Sequence, residues 1–179
     1  YISLGCIILS SPKKLILQRS SMLPDKISSR LIENNIKLPE VSAPAGSYLP
    51  YTQGDSLIFI SGQIAFWNGE LLHKGKLGRD LTTDQGQLSS RYCGLNLLAH
   101  LQNACDGNLD KVEKVIKLNG FVNCTEDFTD QPKVIDGVSQ LMNEVFGDKG
   151  KHARAAVGCA SLPLGASVEV EGIFQIAVK

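Results

Sequence analysis

The sequence predicts an α+β domain with its elements in the order β-β-α-β-α-β-β and two helices covering one face of a sheet. Three observations lead there. Val168, Val170, Gly172, Phe174, Ile176 and Val178 alternate with Ser167, Glu169, Glu171, Ile173, Gln175 and Lys179, the period of two expected of a strand with one face in a core. Val134, Val138, Leu141 and Val145 recur at i, i+4, i+7 and i+11, the buried stripe of a helix. Leu57-Ile-Phe-Ile-Ser61 is apolar on both faces and of strand length, as a central strand would be. Two helices can cover only one face of such a sheet. The face bearing Glu169, Glu171 and Gln175 must then meet water, a partner subunit or a ligand.

Taken in order, residues 1–24 are expected to be a poorly ordered extension, and residues 25–179 the folded domain. The extension has no Asp or Glu, is Ser-rich, and carries Lys13, Lys14 and Arg19. Its basic residues follow the apolar run Ile2–Leu9, the reverse of a secretory signal, whereas an acid-free, basic, Ser-containing stretch fits a mitochondrial-type transit segment. A working start at Met22 is the competing expectation. Ser28–Leu38 predicts a short amphipathic helix ended by Asn34-Asn35, with Ser28 or Ser29 as cap. Tyr48–Thr52 predicts a strand and Gly54-Asp55 its turn. Gly62 follows the Leu57 strand, where a glycine marks either a plain strand end, a bulge or a close backbone approach to a ligand. Trp67–Arg79 predicts a loop, and its glycines form no nucleotide fingerprint.

Thr82 or Thr83 should cap the main helix, with Asp84 in its first turn and Leu88, Tyr92, Leu95, Leu98 or Ala99, and Leu101 as its buried stripe. Tyr92 and His100 on this helix are expected to pack rather than catalyse. Val112–Asn123 predicts one strand with Gly120 as a bulge. Pro132 suits the first turn of the second helix and Gly147 its C-terminal cap. The final pair of strands is expected to be joined by the turn Leu162-Pro163-Leu-Gly165, since proline fixes φ and glycine tolerates positive φ.

Composition narrows the function. Eighteen basic and eighteen acidic residues cancel, so no global field favours nucleic acid or an anionic membrane. No apolar run is long enough for a transmembrane helix. The five cysteines, Cys6, Cys93, Cys105, Cys124 and Cys159, are odd in number and lack a Cys-x-x-Cys. They read as thiols of a reducing compartment, with cytoplasm as the expected location and the mitochondrion as the alternative. His73, His100 and His152 make no ligand spacing with them, which argues against zinc.

By spacing alone, Arg154 at the start of one late strand, facing Glu169 and Glu171 on the next across neighbouring strands, has two readings. They are either a surface ion pair worth about 0–1 kcal/mol or a site. Arg154-Ala-Ala-Val, Leu162-Pro163 and Val168-Glu-Val-Glu171 together resemble the C-terminal signature of the Rid family, also called YjgF-like or L-PSP-like. The resemblance continues upstream through Asn143-Glu-Val-Phe146-Gly147, Leu57-Ile-Phe-Ile-Ser61-Gly62-Gln63-Ile64 and Ala43-Pro-Ala-Gly-Ser-Tyr48-Leu-Pro-Tyr51-Thr-Gln53-Gly54. It covers about residues 28 to 179, in order.

The resemblance implies a chorismate mutase-like (YjgF-like) mixed sheet, assembled as a homotrimer whose sheets form a central barrel with ligand pockets between subunits. It implies hydrolysis of reactive enamines and imines to 2-oxo acids and ammonia, without cofactor or metal. Arg154 would hold the substrate carboxylate, a task suited to a permanently charged fork, and Glu169 would position the attacking water. Tyr51 would line the pocket, and the backbone at Gly62 and Ala156 would contact the ligand. Glu171 would be structural or pair between subunits. Asp136 stands where many members carry Asn, and Ala156 where the best-known carry Cys. These departures, with the Leu-Pro-Leu-Gly165 turn, point to a side branch of the family. Two other functions stay open: a non-catalytic trimer binding small carboxylates such as 2-oxo acids, and RNA cleavage. The neutral charge and missing basic-aromatic surface argue against RNA cleavage.

Overall fold

The computed structural model describes residues 26–41 and 46–177. Expectations for residues 1–24, for the Ala43-Pro-Ala stretch and for Val178 and Lys179 therefore lie outside the described residues. The helices are α1 (Lys26–Glu33), α2 (Thr83–Ala104) and α3 (Gln131–Phe146). The strands are β1 (Tyr51–Gly54), β2 (Leu57–Ile64), β3 (Phe66–Trp67), β4 (Glu70–Leu71), β5 (Val112–Asn123), β6 (Ala153–Cys159) and β7 (Val168–Ile176). Five strands form one sheet in the order β1-β2-β7-β5-β6. All neighbours are antiparallel except β5 and β6, which run parallel. The α+β class, the mixed sheet and the order of its main elements are as the sequence implies.

β7 is central and alternates strictly between buried and half-buried residues. Val168, Val170 and Phe174 are fully buried with Leu118 and Val122 of β5, and with Leu97, Leu98, Val138 and Leu141 of the helices. α2 and α3 thus cover one face. The other carries Glu169, Glu171, Ile173 and Gln175 on β7, and Asn119 and Phe121 at their cross-strand positions on β5. Among its apolar residues, Phe59 and Val157 are exposed.

The details differ in instructive ways. α1 stops at Glu33, and Asn35 takes the left-handed conformation (φ 52°) that ends it. β1 starts at Tyr51 rather than Tyr48. The loop expected at Trp67–Arg79 begins with the small hairpin β3–β4. Thr82 caps α2 in a capping box with Gln85. Gly147 caps α3 at φ 60°, a conformation a side chain would strain. Tyr92 packs edge-on against Trp67, with ring centroids 5.5 Å apart, and His100 is buried, which lowers its pKa.

Three expectations are corrected. Leu88 is exposed and Tyr92 half-buried, whereas Leu95, Leu98, Ala99 and Leu101 are buried as expected, and the buried face of α2 also takes in Gly86, Ser89, Ser90, Cys93, Gly94 and Leu97. Small residues let α2 and α3 approach until a Cβ on Gly137 would strike the Gln87 carbonyl oxygen, and the Val138 N–H donates to Ser90 Oγ at 3.1 Å. Gly120 is not a bulge. It lies in register with Val170 and Ala156, and its missing Cβ makes room for Ile135 of α3. The β5 irregularities fall earlier, at Val112/Lys114 and Val115/Lys117. Finally, β6 and β7 are not neighbours, because β5 lies between them. A strand parallel to β5 needs a crossover, α3 supplies it, and β6 is therefore delivered to the outer edge.

The close approach of α2 and α3 makes Gly137→Ala a sharp test. It should cost about 3 kcal/mol and lower Tm by roughly 6–12 °C, whereas Leu88→Gln on the same pair of helices should stay within about 0.5 kcal/mol. Thermal melts of the two variants check this, and equal shifts would contradict the packing described.

Candidate functional site

Arg154 opens β6 opposite Leu118 of β5 and turns towards α3. Its Nη1 donates to Asp136 Oδ1 at 2.7 Å and to Ser139 Oγ at 3.1 Å, and its Nη2 to the Pro132 carbonyl at 3.3 Å. Asp136 and Ser139 stand three residues apart on α3, the spacing that puts two side chains on one helical face. The ring of His152 extends the network. Its Nδ1 lies 2.6 Å from the Gly150 carbonyl and its Nε2 3.1 Å from Ser139 Oγ. A carbonyl can only accept, so Nδ1 bears a proton, and in the neutral ring Nε2 then accepts from the serine hydroxyl. That leaves the Ser139 oxygen free to accept from Arg154. The guanidinium is thereby held on three partners. Ala156, two residues on, shares this side of β6.

Glu169 sits on the opposite face of the sheet. In β7 it lies between the fully buried Val168 and Val170, across from Ile64 of β2 and Phe121 of β5. The β2 register slips between Ile60 and Gln63, so Gly62 falls within a bulge. Its bare Cα lies against the Glu169 side chain, and a Cβ there would overlap the carboxylate. Of the three sequence readings of Gly62, the structure bears out the bulge, and the group its backbone approaches is the Glu169 side chain. Burial pushes the Glu169 carboxyl pKa up, and the neighbouring Glu171 adds to the rise. Glu171 in turn accepts from Asn119 Nδ2 at 2.7 Å. Among the described residues no donor is recorded at Glu169, so the two carboxylates differ: one is supported by an amide, the other is poised to take or hold a proton.

The predicted residues fall into separate groups. Arg154, Asp136 and Ala156 gather on the helix side of the β6 edge. Glu169 and Gly62 lie together on the open face. Tyr51, paired with the buried Ile60, stands on β1 at the far edge of the sheet. The idea that Arg154 faces the carboxylates across neighbouring strands is overturned, since β5 intervenes and its partner is Asp136. Two clefts of the single chain lie elsewhere, one between the β3–β4 hairpin and Leu164, the other between Gly78–Thr83 and Phe128. Neither contains Arg154 or Glu169. Asn119, Ser139 and His152 went unrecognised in the sequence. Asn119 shares its parity with Phe121 on β5, and Ser139 is one turn from Asp136, so both carried a signal in their spacing. His152 carried none.

Residues 28–174 match the model of the YjgF/chorismate mutase-like family, whose name also carries the word endoribonuclease. The crystal structure of Atu1372 from Agrobacterium tumefaciens, a protein of unknown function, is 41% identical, covers 86% of this chain and 94% of its own, and superposes with a TM-score of 0.80. Protein TCP17 of Trypanosoma cruzi is 40% identical over 152 residues, 84% of this chain and 94% of its own length. The 2-iminobutanoate/2-iminopropanoate deaminase of Dermatophagoides farinae is 26% identical over 141 residues, 79% of this chain and 94% of its own length.

The raised Glu169 carboxyl has a consequence for stability. The folded chain binds this proton more tightly than the unfolded chain, so the group's contribution is present in acid and lost as pH rises through its folded pKa. Glu169→Gln keeps the shape without the charge. It should raise Tm at pH 7, with the gain shrinking as pH is lowered towards about 4. Melting curves across that range check it, and a gain independent of pH would rule out the burial of charge as its cause.

Proposed function

The chain belongs to the YjgF/Rid family, and from that premise we propose that it hydrolyses reactive 2-imino acids to 2-oxo acids and ammonia. Arg154 binds the substrate carboxylate through its guanidinium. Glu169 orients a water at C2 and takes its proton as the C–O bond forms. The substrate nitrogen accepts a proton, the C–N bond of the tetrahedral adduct breaks, and ammonia leaves with the 2-oxo acid. No oxidant or reductant enters this balance. Tyr51, and the backbone at Gly62 and Ala156, complete the pocket walls.

The observation that carries this reading is the Glu169 carboxylate, half-buried against the bare backbone of Gly62 with its pKa raised. A carboxylate in that condition suits proton transfer near neutral pH better than an exposed one does. Family membership supplies the substrate class, since the dust-mite relative is an imine deaminase. Arg154 and Glu169 lie on opposite faces of one sheet, so a working site takes them from two copies of the chain. We place these copies in a homotrimer, open faces inward, where Phe59, Phe121, Val157 and Ile173 are removed from water. One observation favours a second reading, a trimer that binds small carboxylates without turnover: within the chain Arg154 and Glu169 lie on opposite faces of the sheet.

The test generates imines in situ with an amino-acid oxidase and follows ammonia and 2-oxo acid release. Wild type should accelerate release, while Arg154→Ala and Glu169→Ala should each lose about 10²-fold or more. Because each variant damages a different half of the site, co-refolded mixtures of the two should recover part of the activity. No acceleration by wild type, with 2-oxo acid binding intact, would favour the binding module. Activity in the single variants but none gained on mixing would place both residues elsewhere than in a shared pocket.

A further inference from the structure

A guanidinium has five N–H donors. In Arg154, Nη1 is spent on Asp136 Oδ1 and Ser139 Oγ, and Nη2 gives one bond to the Pro132 carbonyl. Nε and the remaining Nη2 hydrogen have no partner recorded among the described residues. Carboxylates take their bonds from guanidinium donors of this kind. Asp136 is in the complementary state. Its Oδ1 is held by Arg154, while no partner is recorded for Oδ2, and its side chain is 45% exposed against 23% for the arginine. Unspent cationic donors and an anionic oxygen with no recorded partner are thus held in one ion pair. The arginine cannot swing away from Asp136 without also giving up Ser139, which His152 holds in the accepting orientation.

We infer that Asp136 and Arg154 act together as a receptor for a zwitterion. The preferred ligand carries a positive nitrogen beside its carboxylate, as an α-amino acid or a protonated 2-imino acid does. A 2-oxo acid, bearing only the negative charge, meets an arginine whose charge is already offset and a carboxylate that repels it. The inference rests on the reading of Arg154 as the carboxylate binder and makes Asp136 the residue that sets specificity. It also has a chemical rationale, because the protonated imine is the form that water attacks most readily. A carboxylate that favours the nitrogen's positive charge favours substrate over product, which lets the 2-oxo acid leave.

The experiment titrates the full chain calorimetrically with L-2-aminobutanoate and with 2-oxobutanoate, which share one carbon skeleton and differ at C2. Wild type should take L-2-aminobutanoate at least about tenfold more tightly. Asp136→Asn should weaken that ligand and tighten 2-oxobutanoate, each by about tenfold, or about 1.4 kcal/mol, so that the preference inverts. Arg154→Ala should lose both. An unchanged preference in Asp136→Asn, with both ligands still lost in Arg154→Ala, overturns the zwitterion inference and leaves the carboxylate reading standing. Undiminished binding of both ligands by Arg154→Ala overturns the two together. Should Asp136→Asn fail to fold, wild type decides alone: 2-oxobutanoate bound as tightly as L-2-aminobutanoate, or neither ligand bound, overturns the inference.

Discussion

Helices on one face of a five-stranded sheet leave the other face to be satisfied in some other way, and β7 carries that constraint at its centre. Its inward residues are fully buried beneath α2 and α3. Its outward residues alternate with them, so a shift of register by one position would put Glu169 and Glu171 into the core and Val168 and Val170 outside. The register is therefore fixed by the cost of burying charge. With it are fixed the cross-strand neighbours of Glu169: Ile64 on one side and Phe121 on the other. The bulge in β2 follows from the same demand. A side chain at Gly62 would collide with the glutamate, and the slipped register there gives the carboxylate its room.

The pair of carboxylates on this face would be an error in a sheet designed only to be stable. Burial disfavours the ionised form of Glu169, and the like charge of Glu171 two residues on adds to the penalty. The chain relieves one of them, since Asn119 donates to Glu171. It leaves Glu169 without that relief. Among the described residues, a half-buried carboxylate with no recorded donor breaks a local rule of consistency, which is one mark of a site.

Much of this was legible in the sequence, and the reasons are specific. The alternation along β7 survives because its inward positions are large and apolar and its outward ones charged. The α3 stripe survives for the same reason. The α2 stripe survives only in its second half, at Leu95, Leu98, Ala99 and Leu101, because the earlier buried positions include Gly86, Ser89, Ser90 and Gly94, small enough for two helices to approach. A hydrophobicity pattern cannot register a contact made by absence of volume. Gly120 misled in the same way: its role is to admit Ile135, yet by sequence it resembles a bulge. The pairing of Arg154 was hidden for a topological reason. Consecutive strands are usually neighbours, and the insertion of β5 between β6 and β7 depends on the parallel crossover through α3, which no local pattern announces.

That topology also explains why Arg154 and Asp136 belong together. Because α3 is the crossover between β5 and β6, the helix face that packs on the sheet is the one beneath which β6 begins. A residue at the start of β6 that points to the helix side must meet α3 near its middle. Asp136 and Ser139 occupy that place, one turn apart. The glutamate, on a strand of the same sheet but of opposite parity, cannot reach them. Chemistry that requires both groups is therefore tied to assembly, and a lone chain would hold two incomplete halves. Burying the apolar residues of the open face and completing the proposed site would then be one event, and the face left uncovered by the helices would serve both stability and function.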